Sequence, residues 1–158
     1  MKNVICIIEA HGGLETLKRD AIRVDPPSAG LLRLCIEYIG EGPRGHAAIS
    51  VAHDYEQNGD LMQDPDVVVE VPDSQAWSDE STWGPVSFTQ ASKGYHGEAC
   101  FRDNTGQIRL RPGLVDNIRS FLKRWNRNIG EQGYVDAFLE KKERGTRITL
   151  EDFDCLQA

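Results

Sequence analysis

Ala47-Ala48-Ile49-Ser50-Val51-Ala52-His53-Asp54-Tyr55, then Asn58-Gly59, then Val67-Val68-Val69-Glu70-Val71 before Pro72, is the stretch on which the fold turns. In the first run Ile49, Val51, His53 and Tyr55 fall two apart, so as a strand they share one face. The second run is β-branched and ends at a proline, which cannot continue a central ladder. Asn-Gly between them is the strongest short-range hairpin signal, because a two-residue type I′ turn needs positive φ at both positions. The pattern therefore predicts an antiparallel hairpin at the centre of the chain.

Working outward toward the C-terminus, the loop 73–84 is polar and carries Trp77 and Trp83. Pro85 to Gln90 alternates Val86 and Phe88 with polar residues, a third strand. Segments 95–102 and Ile108–Arg111, joined by Asp103-Asn104-Thr105-Gly106, read as two more. A helix over 114–129 follows, with Leu114, Val115, Ile118, Phe121, Leu122, Trp125 and Ile129 on one stripe and Arg119, Lys123, Arg124 and Arg127 on the other face. A helix at 134–143 buries Val135, Phe138 and Leu139 and stops at Gly145. A last short helix is signalled by a capping box, Thr149-x-x-Asp152, flanked by Ile148 and Phe153.

Toward the N-terminus, residues 3–10 read as a helix ended by Gly12-Gly13. Leu14 to Val24 fits helix or strand. Asp25-Pro26-Pro27-Ser28 breaks the chain, and Ser28 caps a helix expected at 29–39, where Leu31, Leu34, Cys35 and Tyr38 recur at i, i+3, i+4 and i+7. Strands cluster rather than alternate with helices. The expected fold is α+β: an antiparallel sheet of four to five strands with N- and C-terminal helices packed on one face, in a single domain, 1–158.

The chain has 158 residues, 39% of them hydrophobic, enough for one core without a disulfide or metal. No apolar run of 18 residues suggests a membrane span. Cys6, Cys35, Cys100 and Cys155 form no C-x-x-C pair, so free thiols in a reducing, cytoplasmic setting are expected. Net charge is −7, unevenly distributed. Between Gly45 and Ser92 there is no lysine or arginine, yet Asp54, Glu56, Asp60, Asp64, Asp66, Glu70, Asp73, Asp79 and Glu80 all fall there. That predicts one strongly negative surface and one mildly positive one.

Three function readings follow. The first is a non-enzymatic protein that uses Asp54, Glu56, Asp60, Asp64, Asp66, Trp77, Asp79, Glu80 and Trp83 to bind a partner with a basic surface, imitating a phosphate backbone. The second takes Asp54, Glu56, Asn58, Gly59 and Asp60 as a partial calcium loop, D-x-[DN]-x-[DN]-G, with Ca or Mg held by Asp54, Glu56, Asn58 and Asp60 and a metal-dependent hydrolase as one outcome. Pro65 stands where the bidentate glutamate of such a loop belongs, and the flanks read as strands. The third is a small nucleic-acid binder using Arg119, Lys123, Arg124 and Arg127. No nucleophile elbow, P-loop, dinucleotide fingerprint or H-E-x-x-H is present, so the enzyme class has no specific motif. His96 and Cys100, four apart on an expected strand, share a face but have no evident partners.

The run His53-Asp54-Tyr55-Glu56-Gln57-Asn58-Gly59-Asp60-Leu61-Met62-Gln63-Asp64-Pro65-Asp66, with Val69-Glu70-Val71 and Pro85-Val86-Ser87-Phe88-Thr89-Gln90 after it, resembles a family of uncharacterised domains from plasmids, integrative elements and phages. The likeness covers roughly residues 28–130, and the H-x-x-E-Q-N-G-D-L-M-x-D-P core carries most of it. The resemblance implies an accessory protein of a mobile element, acting on transfer or on host defence, with a defence nuclease as a candidate basic partner; it brings no catalytic residues with it.

Overall fold

The computed structural model describes residues 1–156, with side chains through residue 145. The central hairpin forms as read. Strand β3, Ala47–Gln57, pairs antiparallel with β4, Asp60–Val71, in register Ile49↔Val69, Val51↔Val67 and Gln57↔Asp60. Asn58 and Gly59 turn the chain with φ of 53° and 85°, the two positive values a type I′ turn requires.

The sheet around this hairpin has six strands, not four or five. Its order is β1-β2-β3-β4-β5-β6, with β1 Ile22–Val24, β2 Arg33–Glu41, β5 Gly84–Gln90 and β6 Tyr95–Glu98, and every pairing is antiparallel. The helix expected at 29–39 is β2. Its apolar residues fit helical spacing, but alternation decides: Leu34, Ile36 and Tyr38 sit opposite His53, Val51 and Ile49. The segment expected as one strand over 95–102 divides at Ala99, whose N–H donates to Val86 O. Beyond it, β7 Cys100–Arg102 and β8 Ile108–Leu110 form a separate two-stranded sheet. His96 and Cys100 therefore belong to different sheets.

Helices cover one face. Helix α1, Lys2–His11, is followed by a single turn, α2, Leu14–Leu17; α3, Pro112–Glu131, starts on a proline at N1, where a missing N–H costs nothing. Helix α4, Tyr134–Leu156, continues through Gly145 rather than ending there. The side chains of the expected capping box, Thr149 and Asp152, and of Cys155 lie outside the described residues. The core lies between the helices and this face: Val4, Ile7, Ile8, Leu34, Ile36, Ile49, Val51, Val67, Ile118 and Ile129 are all buried in one cluster. A ladder of ring contacts runs through it, Phe88 to Phe121 at 4.9 Å, Phe121 to Trp125 at 5.4 Å, Trp125 to His53 at 5.3 Å and His53 to Tyr134 at 5.4 Å. Burial holds the His53 imidazole below its ordinary pKa, which keeps it a neutral core residue. No helix among the described residues is long and apolar enough to cross a membrane.

Cross-strand partners share a face. The second sheet face therefore carries the polar half of each strand: Arg23 opposite Cys35, Cys35 opposite Ala52, Ala52 opposite Asp66, Asp66 opposite Thr89 and Thr89 opposite His96.

Candidate functional site

The residues of the cation-free stretch disperse over this polar face and the loop beyond it, and cations from other segments come to meet them. Asp54 lies beside Arg33 of β2, which donates from Nε and Nη2 at 2.9 and 3.1 Å. The thiol of Cys35 donates to the same carboxylate at 2.9 Å. Burial alone would raise the Asp54 pKa, but the Arg33 fork and the Cys35 thiol outweigh it and hold the group below the usual carboxylate range. Cys35, buried and facing that anion, is pushed up to about 12, so its thiol stays protonated.

Glu70 is the other buried carboxylate among the described residues, 3% exposed like Asp54. The β2–β3 connection folds back over it, and Arg44 and His46 donate their backbone N–H groups to it at 3.1 and 3.2 Å. The Arg44 guanidinium stands 3.7 Å away. The approach requires Gly42, because a Cβ there would lie 2.2 Å from Glu70 Cγ.

Of the remaining acids, two meet a nitrogen from a distant segment and three meet a serine. Asp73 binds Lys18, which also bridges to Glu15, each at 2.9 Å. Glu80 accepts from the Met1 nitrogen. Asp64 accepts the Ser92 N–H at 2.8 Å, Asp66 the Ser50 hydroxyl at 2.6 Å, and Asp79 the Ser81 N–H at 2.9 Å. Burial pushes the Asp66 carboxyl up, with Ser50 opposing. Only Glu56 and Asp60, exposed on the hairpin end, keep side chains without a partner among the described residues.

Of the residues expected to bind a partner, Asp54 and Trp83 are buried, and so is Glu70 of the same cation-free stretch. Asp54 is committed to Arg33 inside the sheet, Glu70 is wrapped by its own loop, and Trp83 is core: it is 4% exposed, and its indole Nε1–H donates to Trp77 O at 2.7 Å. Trp77 is half-buried. It stands at the wall of a cleft of about 750 Å³ with Glu9, Glu15 and Asp73. The expected calcium loop is a plain ladder: Asp54 faces Gln63, Glu56 faces Leu61, and Asn58 occupies the turn. The oxygens are strung along a strand instead of converging, and no group of three or more His, Cys, Asp or Glu among the described residues is arranged to hold a metal.

The basic set behaves differently. Ile118, Leu122, Trp125 and Ile129 turn α3 toward the core, which leaves Arg119, Lys123, Arg124 and Arg127 exposed. None of these side chains has an ion pair or hydrogen bond to another described residue. Arg119 and Lys123 also border a cleft of about 530 Å³ between α3 and the start of α1, with Lys2 on the far side. Lys2 and this cleft escaped the sequence reading, because only the packing of α1 beside α3 brings residues 2 and 123 together.

Fold and site together define a small α+β domain in which many polar sheet residues bind one another and one helix presents a cluster of four exposed cations without partners among the described residues. The chain belongs to the domain-of-unknown-function family DUF6908, which matches residues 2–135. No curated protein and no solved structure matches it.

Proposed function

We propose that the protein is a non-enzymatic binding module that engages nucleic-acid phosphates through the exposed face of α3. The observation that carries this reading is the lack of counter-ions: Arg119, Lys123, Arg124 and Arg127 are exposed on one helix with no acidic partner among the described residues. Cations not already compensated are the ones that release bound counter-ions from a phosphate backbone. The net charge of −7 sets a limit on affinity, and the attraction comes from the local clustering of cations on α3. Asp54 bound to Arg33, and Glu70 bound to its own loop, give no support to a nucleophile or metal reaction centre.

The test is a salt series with mixed-sequence single strands and duplexes. With four phosphates neutralised, log affinity for a single strand falls with log salt at a slope of about −3. Arg124→Glu/Arg127→Glu reduces both the affinity and the slope. Binding that ignores salt, or that survives this reversal, overturns the reading.

A second reading has its own support. The cleft beside Trp77 joins an aromatic wall to Glu9 and to Glu15 and Asp73, which Lys18 already bridges, and a partner's lysine or arginine would bind Glu9 and compete with Lys18 for the other two. A basic protein partner would bind there rather than on the β3–β4 hairpin. Loss of such a partner in Glu9→Lys/Asp73→Lys, with binding retained in Asp60→Lys, distinguishes the two locations. The wider setting, an accessory protein of a plasmid, phage or integrative element, rests on the hairpin resemblance alone.

A further inference from the structure

We infer that the cleft between α1 and α3 seats a single nucleotide unit, its phosphate on Lys2, Arg119 and Lys123 and its base on Trp83, Pro85 and Leu122. The inference rests on the α3 reading above, in that it takes the helix cations as phosphate ligands. At about 530 Å³ the cleft is within the range of small-ligand sites.

Its lining divides by chemistry. Trp83, Pro85 and Leu122 are buried and form an apolar floor. Trp83 is fixed by the bond from its Nε1 to Trp77 O, so the floor is preformed and orders little on binding. Lys2, Arg119 and Lys123 stand exposed around it, their side chains without partners among the described residues. Glu80, also on the rim, is already engaged by the Met1 nitrogen.

An inorganic anion would gain nothing from the floor, and an uncharged apolar ligand would gain nothing from three cations. A phosphate ester with a flat, weakly polar body uses both. Two sources share that chemistry, a free mononucleotide and the phosphorylated end of a strand. The strand end fits the surroundings further, since Arg124 and Arg127 continue the positive face of α3 away from the cleft, where the next phosphates would lie.

Lys2 is the discriminating residue, because it faces the cleft but is not on α3. It is exposed, and a glutamate in the first turn of α1 suits the helix dipole, so Lys2→Glu folds and melts like the parent. The measurement is fluorescence anisotropy of a 3′-labelled single-stranded octamer, with and without a 5′-phosphate, together with an adenosine monophosphate titration followed by tryptophan emission. The expected result is at least about tenfold tighter binding of the 5′-phosphorylated octamer, the size of one charge-assisted hydrogen bond. That advantage disappears in Lys2→Glu and survives in Arg124→Glu/Arg127→Glu. Equal binding of the two octamers, with no response to adenosine monophosphate, overturns the cleft inference and leaves the α3 reading standing. A Lys2-dependent response to adenosine monophosphate without octamer binding assigns the cleft to free nucleotides and overturns the α3 reading. No binding of any probe at low salt overturns both.

Discussion

The stretch from Gly45 to Ser92 and the face of α3 are both charge-dense in sequence, and they have opposite fates in the fold. In the first, acids without a neighbouring cation acquire partners from distant segments: Arg33 for Asp54, Arg44 for Glu70, Lys18 for Asp73. In the second, Arg119, Lys123, Arg124 and Arg127 have Asp116 and Glu131 within reach along the same helix, yet pair with neither. The difference lies in geometry. Strands bring residues about twenty apart face to face, so a carboxylate on β3 or β4 meets whatever the next strand or loop offers. A surface helix offers its outer face only water and its own neighbours. Charge counted along a chain is therefore a poor guide to charge presented by a surface.

The largest expected effect tests the first half of that contrast. Glu70→Ala removes a carboxylate that accepts from two backbone N–H groups and pairs with Arg44, and leaves those donors buried without partners. The cost is about 3 kcal/mol. For a chain of this length that lowers Tm by roughly 6–12 °C. A melt within 2 °C of the parent would mean that Glu70 is as superficial as the sequence count implied.

Asp54→Asn costs less, about 2 kcal/mol, because Arg33 is partly exposed and can turn to water once its partner is gone. Its pH dependence is more informative than its size. The Asp54 pKa is held below its ordinary value, so its contribution is full above the unfolded value of 3.8 and is lost as pH falls through the lower folded value. Asp66 is shifted the other way by burial, so its contribution is full below 3.8 and is lost as pH rises through the higher folded value. Denaturant melts between pH 2.5 and 7 should show Asp54→Asn losing most against the parent at neutral pH and converging with it in acid. Asp66→Asn, whose amide oxygen can still accept from the Ser50 hydroxyl, should gain on the parent as pH rises, because it removes a carboxylate that burial opposes ionising. Parallel curves for the two variants would show that the two sites have the same environment.

The parts of this arrangement that could be read in advance were those set by neighbours in the chain. Asn58-Gly59 determined its own turn, and the stripe Ile118, Leu122, Trp125 and Ile129 determined which way α3 faces. Strand β2 was illegible for a specific reason. Leu31, Leu34, Cys35 and Tyr38 satisfy a helical period, while the alternation Leu34, Ile36, Tyr38 is blurred by Cys35, which is apolar by type yet belongs to the polar face through its bond to Asp54. Misreading β2 hid the register Arg33↔Asp54, and with it the ion pair that engages Asp54 within the sheet. The α3 cations were legible as exposed; their lack of partners was not, because that depends on what every other element leaves in reach.

The smallest expected effect on stability tests the second half of the contrast. If Arg124 and Arg127 make no ion pair, Arg124→Glu/Arg127→Glu removes no favourable contact from the folded chain. Surface substitutions of this kind fall within about 0.5 kcal/mol of the parent. The reversal relieves repulsion between Lys123 and Arg127, one helical turn apart, but sets a glutamate at 127 one turn from Glu131, so these terms of a few tenths of a kcal/mol oppose each other and Tm stays close to the parent's. Thermal melts at low and high salt measure this, since screening erases the difference above about 0.5 M. A loss of 1 kcal/mol or more would mean that these arginines hold acids of the chain after all, and the uncompensated face that separates α3 from the sheet would no longer exist. A stability change near zero, beside a loss of nucleic-acid binding, is the combination that marks a charge kept for a partner rather than for the fold.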